Sequence, residues 1–169
     1  MKHICIFLFS ILIIGCSSPT TSTTSETTTY FLIRHAEKDL SDPRNPNPML
    51  TEKGNIRAKK WAAILAPSSI DYVYSTQFLR TKLTATPIAQ KNKVPITTYA
   101  PNKLLSKDFK QKTKGKTTVI IGHSNTIPSF INTLLQKKKY DDLEHEDYGK
   151  LFIIKITGDQ ITETVLDIN

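Results

Sequence analysis

The segment YFLIRHAEK, residues 30–38, is a short apolar run that ends abruptly in charged side chains. Its aromatic and β-branched residues span too few positions for a helix, and turn-forming residues follow soon after, so a buried β-strand is favoured. In open α/β sheets, ligands bind outside the carboxyl ends of the strands. We therefore expect Arg34 and His35 to face a binding crevice, although charged residues also occur where a strand simply meets water.

Two later segments repeat the pattern of an apolar run that ends in polar residues. Residues 70–76 (IDYVYST) are predicted as a second strand, with Arg80 shortly after it. Residues 117–125 (TTVIIGHSN) are predicted as a third strand, which ends close to His123. Three strand ends together offer two arginines and two histidines.

The order of predicted elements indicates an α/β fold with three layers, α/β/α, around a mostly parallel central sheet. The last two apolar segments, joined by Gly158-Asp159, predict a C-terminal antiparallel hairpin. Besides the strands above, the predicted elements are helices at about residues 52–65, 77–91, 103–111 and 126–138, a short strand at 95–99, and hairpin strands at 151–156 and 160–166.

These motifs resemble the histidine phosphatase superfamily, also called phosphoglycerate mutase-like. The resemblance covers roughly residues 29–169 and rests on four motifs in order: Arg34-His35, the segment LTEKGNIRA at residues 50–58, Ser75 to Arg80 with Thr84-Ala85, and Gly122-His123. It implies a metal-independent enzyme without a cofactor, in which His35 attacks phosphorus and forms a phosphohistidine. Arg34, Arg80 and His123 would hold the phosphoryl group.

The chemistry of these residue types agrees with that role. Arginine offers a planar, permanently charged fork suited to phosphate. A histidine attacks through a neutral ring nitrogen, and neighbouring guanidiniums disfavour the charged ring. Ser124 and Asn45 are further candidates for substrate contacts, although Asn45 fits a plain turn equally well.

The general acid is left open between two carboxylates, Glu37 and Asp108. Residues 99–108, which match the part of the family that carries a catalytic glutamate, contain none. Glu37 could instead orient Arg80 or another cation, and Asp108 could be a solvated helix residue. An absent acid would suit substrates with good leaving groups, such as phosphoramidates.

The N-terminal residues have the pattern of an export signal. Residues 1–15 combine Lys2 with an apolar stretch too short to span a bilayer, and Cys16 follows small residues as in a bacterial lipobox. We expect lipid attachment at Cys16, a flexible Ser/Thr-rich tether at 16–28 and a phosphatase domain at 29–169. An ordinary secretory signal with an incidental cysteine is the alternative. Ser17 favours the outer membrane, facing the periplasm of a bacterial envelope.

The formal charge of +8 fits a phosphorylated substrate or an anionic membrane surface. No nucleic-acid partner is expected, because the lysines lack interleaved aromatic residues. The acidic stretch around His145 is interpreted as a solvated loop and not as a metal site. The sequence indicates no oligomeric state.

The function that these patterns favour is hydrolysis of phosphomonoesters or related phosphoryl compounds on a lipid-anchored envelope protein. Mutase activity is less expected, because an export signal removes the chain from glycolytic substrates. A catalytically silent lipoprotein that binds phosphate ligands or acts as a scaffold is the alternative. A purely structural lipoprotein would not require two arginines and two histidines at strand ends.

Overall fold

The computed structural model describes residues 26–169, which fold into one sheet covered by helices. In chain order the elements are β1 (Thr27–Arg34), α1 (Glu52–Ile64), β2 (Tyr72–Ser75), α2 (Leu79–Asn92), β3 (Ile96–Thr98), a 3₁₀ turn (Pro101–Lys103), α3 (Lys107–Thr113), β4 (Thr117–Gly122), α4 (Thr126–Leu135), β5 (Lys150–Thr157) and β6 (Gln160–Asp167). The predicted signal segment and Cys16 lie outside the described residues. Among residues 26–169, no helix has both the length and the hydropathy that a membrane crossing requires.

The sheet has the strand order β3-β2-β4-β1-β5-β6. Its first four strands in this order are parallel to their neighbours, whereas β5 is antiparallel to β1 and to β6. The prediction of a mostly parallel sheet with a C-terminal antiparallel hairpin is therefore confirmed. Parallel strands in this arrangement bury both faces and need a helix on each side.

Two apolar clusters fill the space between the sheet and the helices, one on each face. The first packs α1 and α2 against the sheet, and its largest fully buried side chain is that of Trp61. The second packs α3 and α4 against the opposite face through Phe109, Phe130 and Ile131. Successive residues of β1 alternate between the two clusters, as the period of a strand requires. The three-layer prediction is thus confirmed.

Several predicted boundaries differ from the structure. The helix predicted to run to residue 138 ends at Leu135, because Gln136 takes a left-handed conformation. The helix predicted from residue 103 begins at Lys107, because Pro101 opens a separate 3₁₀ turn and the Ser106 hydroxyl caps α3 by accepting from the Phe109 amide. Strand β1 begins at Thr27, so the last two residues predicted as tether belong to the sheet. The buried Thr28 hydroxyl accepts a 2.8 Å hydrogen bond from the Gly115 amide, which fixes this start.

Candidate active site

The C-terminal ends of β1, β4 and β2 lie side by side, and this alignment assembles the site. Arg34, the last residue of β1, is in register with Gly122, the last residue of β4. Ser75 at the end of β2 is opposite Ile121 of β4. The residues that directly follow these strands therefore meet at one edge of the sheet. They line a cavity of about 780 Å³, to which α2 contributes Arg80.

His35 is almost fully enclosed, with 3 % of its surface exposed. Its backbone amide donates to the Gly122 carbonyl at 2.9 Å. Its ring Nδ1 lies 2.8 Å from the Ala36 carbonyl oxygen, and since a carbonyl only accepts, Nδ1 carries the proton. Nε2 of the neutral ring therefore keeps its lone pair.

Burial and neighbouring cations keep the His35 ring neutral. Burial lowers the pKa of His35 most strongly, the bond to the Ala36 carbonyl raises it, and His123, Arg80 and Arg34 lower it further, to about 3. At neutral pH the ring is thus in the form that can act as a nucleophile.

His123 lies beside His35, with 5.3 Å between the ring centroids. Burial and the charges of Arg80, Arg34 and Lys38 lower the pKa of His123 to about 4. Like His35, it is therefore neutral at physiological pH.

Hydrogen bonds among hydroxyl groups determine which ring nitrogen of His123 carries the proton. Thr81 Oγ1 lies 2.8 Å from the Phe78 carbonyl and 2.8 Å from Thr76 Oγ1. Thr81 donates its hydroxyl proton to the Phe78 carbonyl, so it accepts a hydrogen bond from Thr76. Thr76 in turn accepts from His123 Nε2 at 3.0 Å. This arrangement leaves His123 with an Nε2–H donor beside the cavity.

Arg34 is buried, and its guanidinium is held by backbone carbonyls and an aromatic ring. Its Nη1 donates to the Glu144 carbonyl at 2.8 Å and to the His145 carbonyl at 3.0 Å. Its guanidinium carbon lies 4.2 Å from the centre of the Tyr148 ring. These contacts fix the guanidinium without neutralising it, since none of them is to a carboxylate.

Arg80 stacks on an aromatic ring in a similar way, with its guanidinium carbon 4.3 Å from the centre of Phe78. The Nε atoms of Arg34 and Arg80 are both buried without a hydrogen-bond partner among the described residues. A buried donor left unpaired is costly, and such groups call for a ligand or water. Two cationic side chains with unused donors beside two neutral histidines form a site suited to an oxyanion.

Comparisons with known proteins agree with this geometry. The sequence profile of the histidine phosphatase superfamily (branch 1) matches residues 30–100. Among solved structures, the protein histidine phosphatase SixA complexed with tungstate is similar with a TM-score of 0.64 at 15 % identity, over 82 % of this chain and 96 % of that chain. This is the histidine phosphatase fold.

Two other structures with the histidine phosphatase fold are equally distant in sequence. YhfR from Bacillus stearothermophilus has a TM-score of 0.66 at 17 % identity, over 84 % of this chain and 98 % of that one. Phosphoglycerate mutase from Bacillus anthracis str. Sterne has a TM-score of 0.60 at 16 % identity, over 86 % of this chain and 94 % of that one. No curated protein shows significant sequence similarity to the chain.

Glu37, predicted as acid or as the partner of a cation, lies outside the cavity of this histidine phosphatase fold. Its carboxylate accepts two hydrogen bonds from Arg57 Nε, at 2.9 and 3.0 Å, and pairs with Lys53 at 3.6 Å. Burial by itself would raise the pKa of Glu37, but the hydrogen bonds and charges of Arg57 and Lys53 outweigh it and lower the pKa below its usual range. Glu37 orients Arg57 and not Arg80, and it holds no proton to give.

Asp108 is exposed in the first turn of α3 and does not line the cavity. Ser124 does line it, whereas Asn45 does not. The Asn45 side chain accepts from the Asn47 amide within an exposed loop. Asn47 reaches α2, where its Oδ1 accepts from the Leu79 amide at 2.8 Å and caps the helix that carries Arg80.

Two further charged residues line the cavity and were not singled out from the sequence. Lys38 follows the quoted strand, and burial, Arg80 and Arg34 lower its pKa. Asp142 belongs to the acidic stretch that was interpreted as a solvated loop, and it is the only acidic residue among the described residues that line the cavity. Lys38 could have been found from its spacing to His35, but nothing local in the sequence marks Asp142.

Metal ligands are not grouped in the described part of the chain. Among residues 26–169, no cluster of three or more histidine, cysteine, aspartate or glutamate side chains is placed to hold a metal ion. His145 is exposed and pairs with Glu146 at 2.7 Å.

Proposed function

We propose that this protein belongs to the histidine phosphatase superfamily and hydrolyses small phosphorylated compounds through a phosphohistidine at His35. The observation that carries the proposal is the state of His35: buried, neutral, and with Nδ1 protonated, so that the Nε2 lone pair is available. The likeness in fold to a phosphatase and to a mutase supports the same class of chemistry.

Substrate binding would use the two guanidiniums. A phosphoryl dianion would bring oxygen acceptors to the guanidiniums of Arg34 and Arg80, which line the cavity. Because both guanidiniums are stacked on aromatic rings, little conformational freedom is lost when the anion binds. The positive charge of Lys38 adds to the attraction.

In the first step His35 Nε2 attacks phosphorus, and the bond from phosphorus to the leaving atom breaks with its electron pair going to that atom. The His35 ring becomes positively charged, and the Ala36 carbonyl stabilises that charge through Nδ1–H. The Nε2–H of His123, held by Thr76 in the free protein, would turn to a phosphoryl oxygen in the transition state.

In the second step water attacks the phosphorus of the phosphohistidine. The bond between nitrogen and phosphorus breaks, its electron pair returns to Nε2, and phosphate leaves with the remaining proton of the water passing to solvent. Glu37 is committed to Arg57 and Asp108 lies elsewhere, so neither of the two carboxylates considered from the sequence is placed to protonate the leaving group. This favours substrates whose leaving group departs easily, such as phosphoramidates or aryl phosphates, over alkyl phosphates.

The test is turnover of p-nitrophenyl phosphate and a panel of phosphate esters by the full chain in detergent, with EDTA present. We expect His35→Ala to lose about a thousandfold or more of the rate, as for a covalent nucleophile. His145→Ala is the matched control, because the His145 ring is exposed and outside the cavity, and its contact with Arg34 uses the backbone carbonyl, which the substitution keeps. Radiolabelled substrate should leave an acid-labile phosphoryl group on the wild type and none on His35→Ala.

Two results would contradict the proposal. One is a rate that survives in His35→Ala, and the other is a rate that EDTA abolishes. A wild type that hydrolyses no ester but binds phosphate or vanadate would instead support the silent, phosphate-binding lipoprotein.

We further propose that the domain is attached to the bacterial outer membrane by lipid at Cys16 and faces the periplasm. The sequence pattern of residues 1–17 is the support for this placement. The chain enters the sheet at Thr27, and the cavity lies beyond the other end of β1, at Arg34. With that geometry the cavity would open away from the point of attachment.

A further inference from the structure

Residues of both charge signs line the cavity. Arg34, Arg80 and Lys38 are its basic residues, and Asp142 is its acidic residue. A carboxylate repels a phosphoryl dianion, so its presence weakens phosphate binding unless the substrate also brings a positive charge. Building on the proposed function, we propose that the substrate is a phosphoryl compound whose leaving group carries an ammonium-type cation, and that Asp142 binds this cation.

The backbone on both sides of Asp142 is tied to the site. The amide of Leu143 donates to the Ser124 carbonyl at 2.9 Å, directly after His123. Two residues further along, the Glu144 carbonyl accepts from Arg34. The backbone next to Asp142 is thus held by bonds to the same segments that carry His123 and Arg34.

Asn132 of α4 fastens the start of the same loop. Its amide nitrogen donates to the Tyr140 carbonyl at 2.7 Å, and its oxygen accepts from the amides of Lys139 and Tyr140 at 2.9 Å each. These three bonds fix the chain immediately before Asp141 and Asp142. A carboxylate on an anchored loop recognises a ligand with less loss of entropy than one on a mobile loop.

Asp142 is not a partner in the ion pairs of its own loop. Within residues 26–169, Asp141 pairs with Lys138 at 2.9 Å, Glu146 pairs with His145, and Asp147 pairs with Lys150. Asp142 takes part in none of these pairs. Lys138 lies near enough for Asp142 to raise its pKa, but its hydrogen bond is to Asp141.

The cavity also has room and a suitable wall for an organic cation. Its volume of about 780 Å³ exceeds what a phosphoryl group fills, and Phe78, Tyr99 and Pro101 line it. The Tyr99 hydroxyl donates to the Ile121 carbonyl at 3.2 Å, so this residue offers the cavity mainly its ring. Aromatic rings attract ammonium groups, which adds to the effect of the carboxylate.

The inference is tested by binding of matched ligand pairs to the full chain in detergent, in a His35→Ala background that prevents turnover. The probes are ω-aminoalkyl phosphates of two to five carbons and the hydroxyalkyl phosphates of the same lengths, with inorganic phosphate as reference. Isothermal titration calorimetry gives each dissociation constant. For at least one length we expect the amine to bind about threefold to fivefold more tightly than the alcohol, as for an exposed ion pair.

Variants at two adjacent aspartates separate binding of the ammonium group by Asp142 from the general effect of removing one negative charge. Asp142→Asn should remove the preference for the amine, and Asp142→Lys should reverse it. Asp141→Asn is the matched control and should keep the preference, because Asp141 does not line the cavity and pairs with Lys138.

Equal binding of amines and alcohols by the parent would overturn the inference, as would a preference that survives in Asp142→Asn. Equal weakening of both series in Asp142→Asn would also overturn it, since Asp142 would then support the site without selecting a cation. Failure of inorganic phosphate to bind would remove the phosphate site itself and with it the proposed function. Intact phosphate binding without selectivity would remove only the inference on the leaving group.

Discussion

The two histidines of the cavity hold protons weakly because both are buried beside the guanidiniums of Arg80 and Arg34, and Lys38 also acts on His123. Their pKa values of about 3 for His35 and about 4 for His123 lie well below the ordinary 6.5. We predict that both rings titrate below pH 5 when their Cε1–H signals are followed by NMR, with His35→Ala and His123→Ala to assign them. A midpoint near 6.5 for either ring would show that it is solvated and not enclosed by the cations.

The same shifts make the fold less stable in acid. Above pH 6.5 the rings are neutral in both the folded and the unfolded chain, so burying them does not reduce the free energy of unfolding. As the pH falls below 6.5, the unfolded chain binds protons that the folded chain does not, so the free energy of unfolding decreases until about pH 3.

Between pH 7.5 and pH 5 we expect His35 to account for a loss of about 2 kcal/mol, at about 1.4 kcal/mol per pH unit, and the less buried His123 to account for a smaller loss. Urea unfolding of the wild type and of a variant with both His35→Ala and His123→Ala measures the difference. A variant with the same pH dependence as the wild type would contradict the assignment.

The position of Glu37 predicts that its substitution lowers stability and leaves the rate nearly unchanged, the opposite of what a catalytic acid would show. Its carboxylate joins the start of α1 to the segment after His35, through Arg57 Nε and Nη2, and is only 10 % exposed. Glu37→Gln should lower the free energy of unfolding by about 2 kcal/mol, because a largely buried guanidinium loses its counter-charge.

The phosphatase rate should change little in Glu37→Gln, within about threefold, since Glu37 does not line the cavity. Glu52→Gln, in the exposed first turn of α1, is the control for removing one negative charge. A large fall in rate with unchanged stability would instead make Glu37 the acid.

The residues that the sequence could predict are those that follow a strand directly. Arg34, His35 and His123 are placed by strand ends alone, because parallel strands bring their carboxyl ends to one edge. The pairing of Glu37 with Arg57 spans 20 residues and depends on how α1 approaches the sheet. The place of Asp142 depends on a loop without apolar periodicity, which the Leu143 amide and the side chains of Asn132 and Arg34 anchor to other elements. Such contacts leave no local pattern.

At the scale of elements, the layers were predictable because strands and helices alternate along the chain and the apolar residues of each recur with its own period. The boundary errors lie where a single residue overrides that pattern, such as Pro101 before α3. The neighbours of β1, with β4 on one side and β5 on the other, follow from packing across the whole sheet. Periodicity along one segment carries no information on that order.

The approach of α1 to the segment after His35 depends on Gly54. A Cβ atom at this position would lie 2.2 Å from the Glu37 carbonyl oxygen and 3.1 Å from its carbonyl carbon. Alanine normally stabilises a helix relative to glycine, but here it would collide with backbone. We predict that Gly54→Ala lowers the free energy of unfolding by about 1–3 kcal/mol, as overpacking does.

Because Glu37 lies two residues from His35, Gly54→Ala should also lower the phosphatase rate. Gly158→Ala is the control: its φ of +58° makes alanine strained, but no atom lies within 4 Å of the added Cβ. It should cost stability without changing the rate, since the β5–β6 turn is next to the start of β1 and not its end. Equal effects of the two variants on the rate would show that the contact of α1 does not position His35.

At the scale of the whole molecule, the start of β1 and the cavity lie at opposite ends of an eight-residue strand. At about 3.3 Å per residue this separates them by roughly 26 Å. A chain attached through its N-terminus would therefore present the cavity to the surrounding solution. The arrangement makes attachment to a membrane compatible with access for a soluble substrate.

Attachment itself is predicted to require Cys16. In a bacterial host, the wild type should sediment with membranes and incorporate an alkyne-labelled fatty acid, because the signal-like residues 1–15 precede that cysteine. Cys16→Ser should lose the label. Cys5→Ser is the matched control and should keep it, since Cys5 lies inside the segment expected to be removed. A wild type that carries no label and is released in soluble form would instead establish an ordinary secretory signal, and the cavity would then belong to a freely diffusing periplasmic protein.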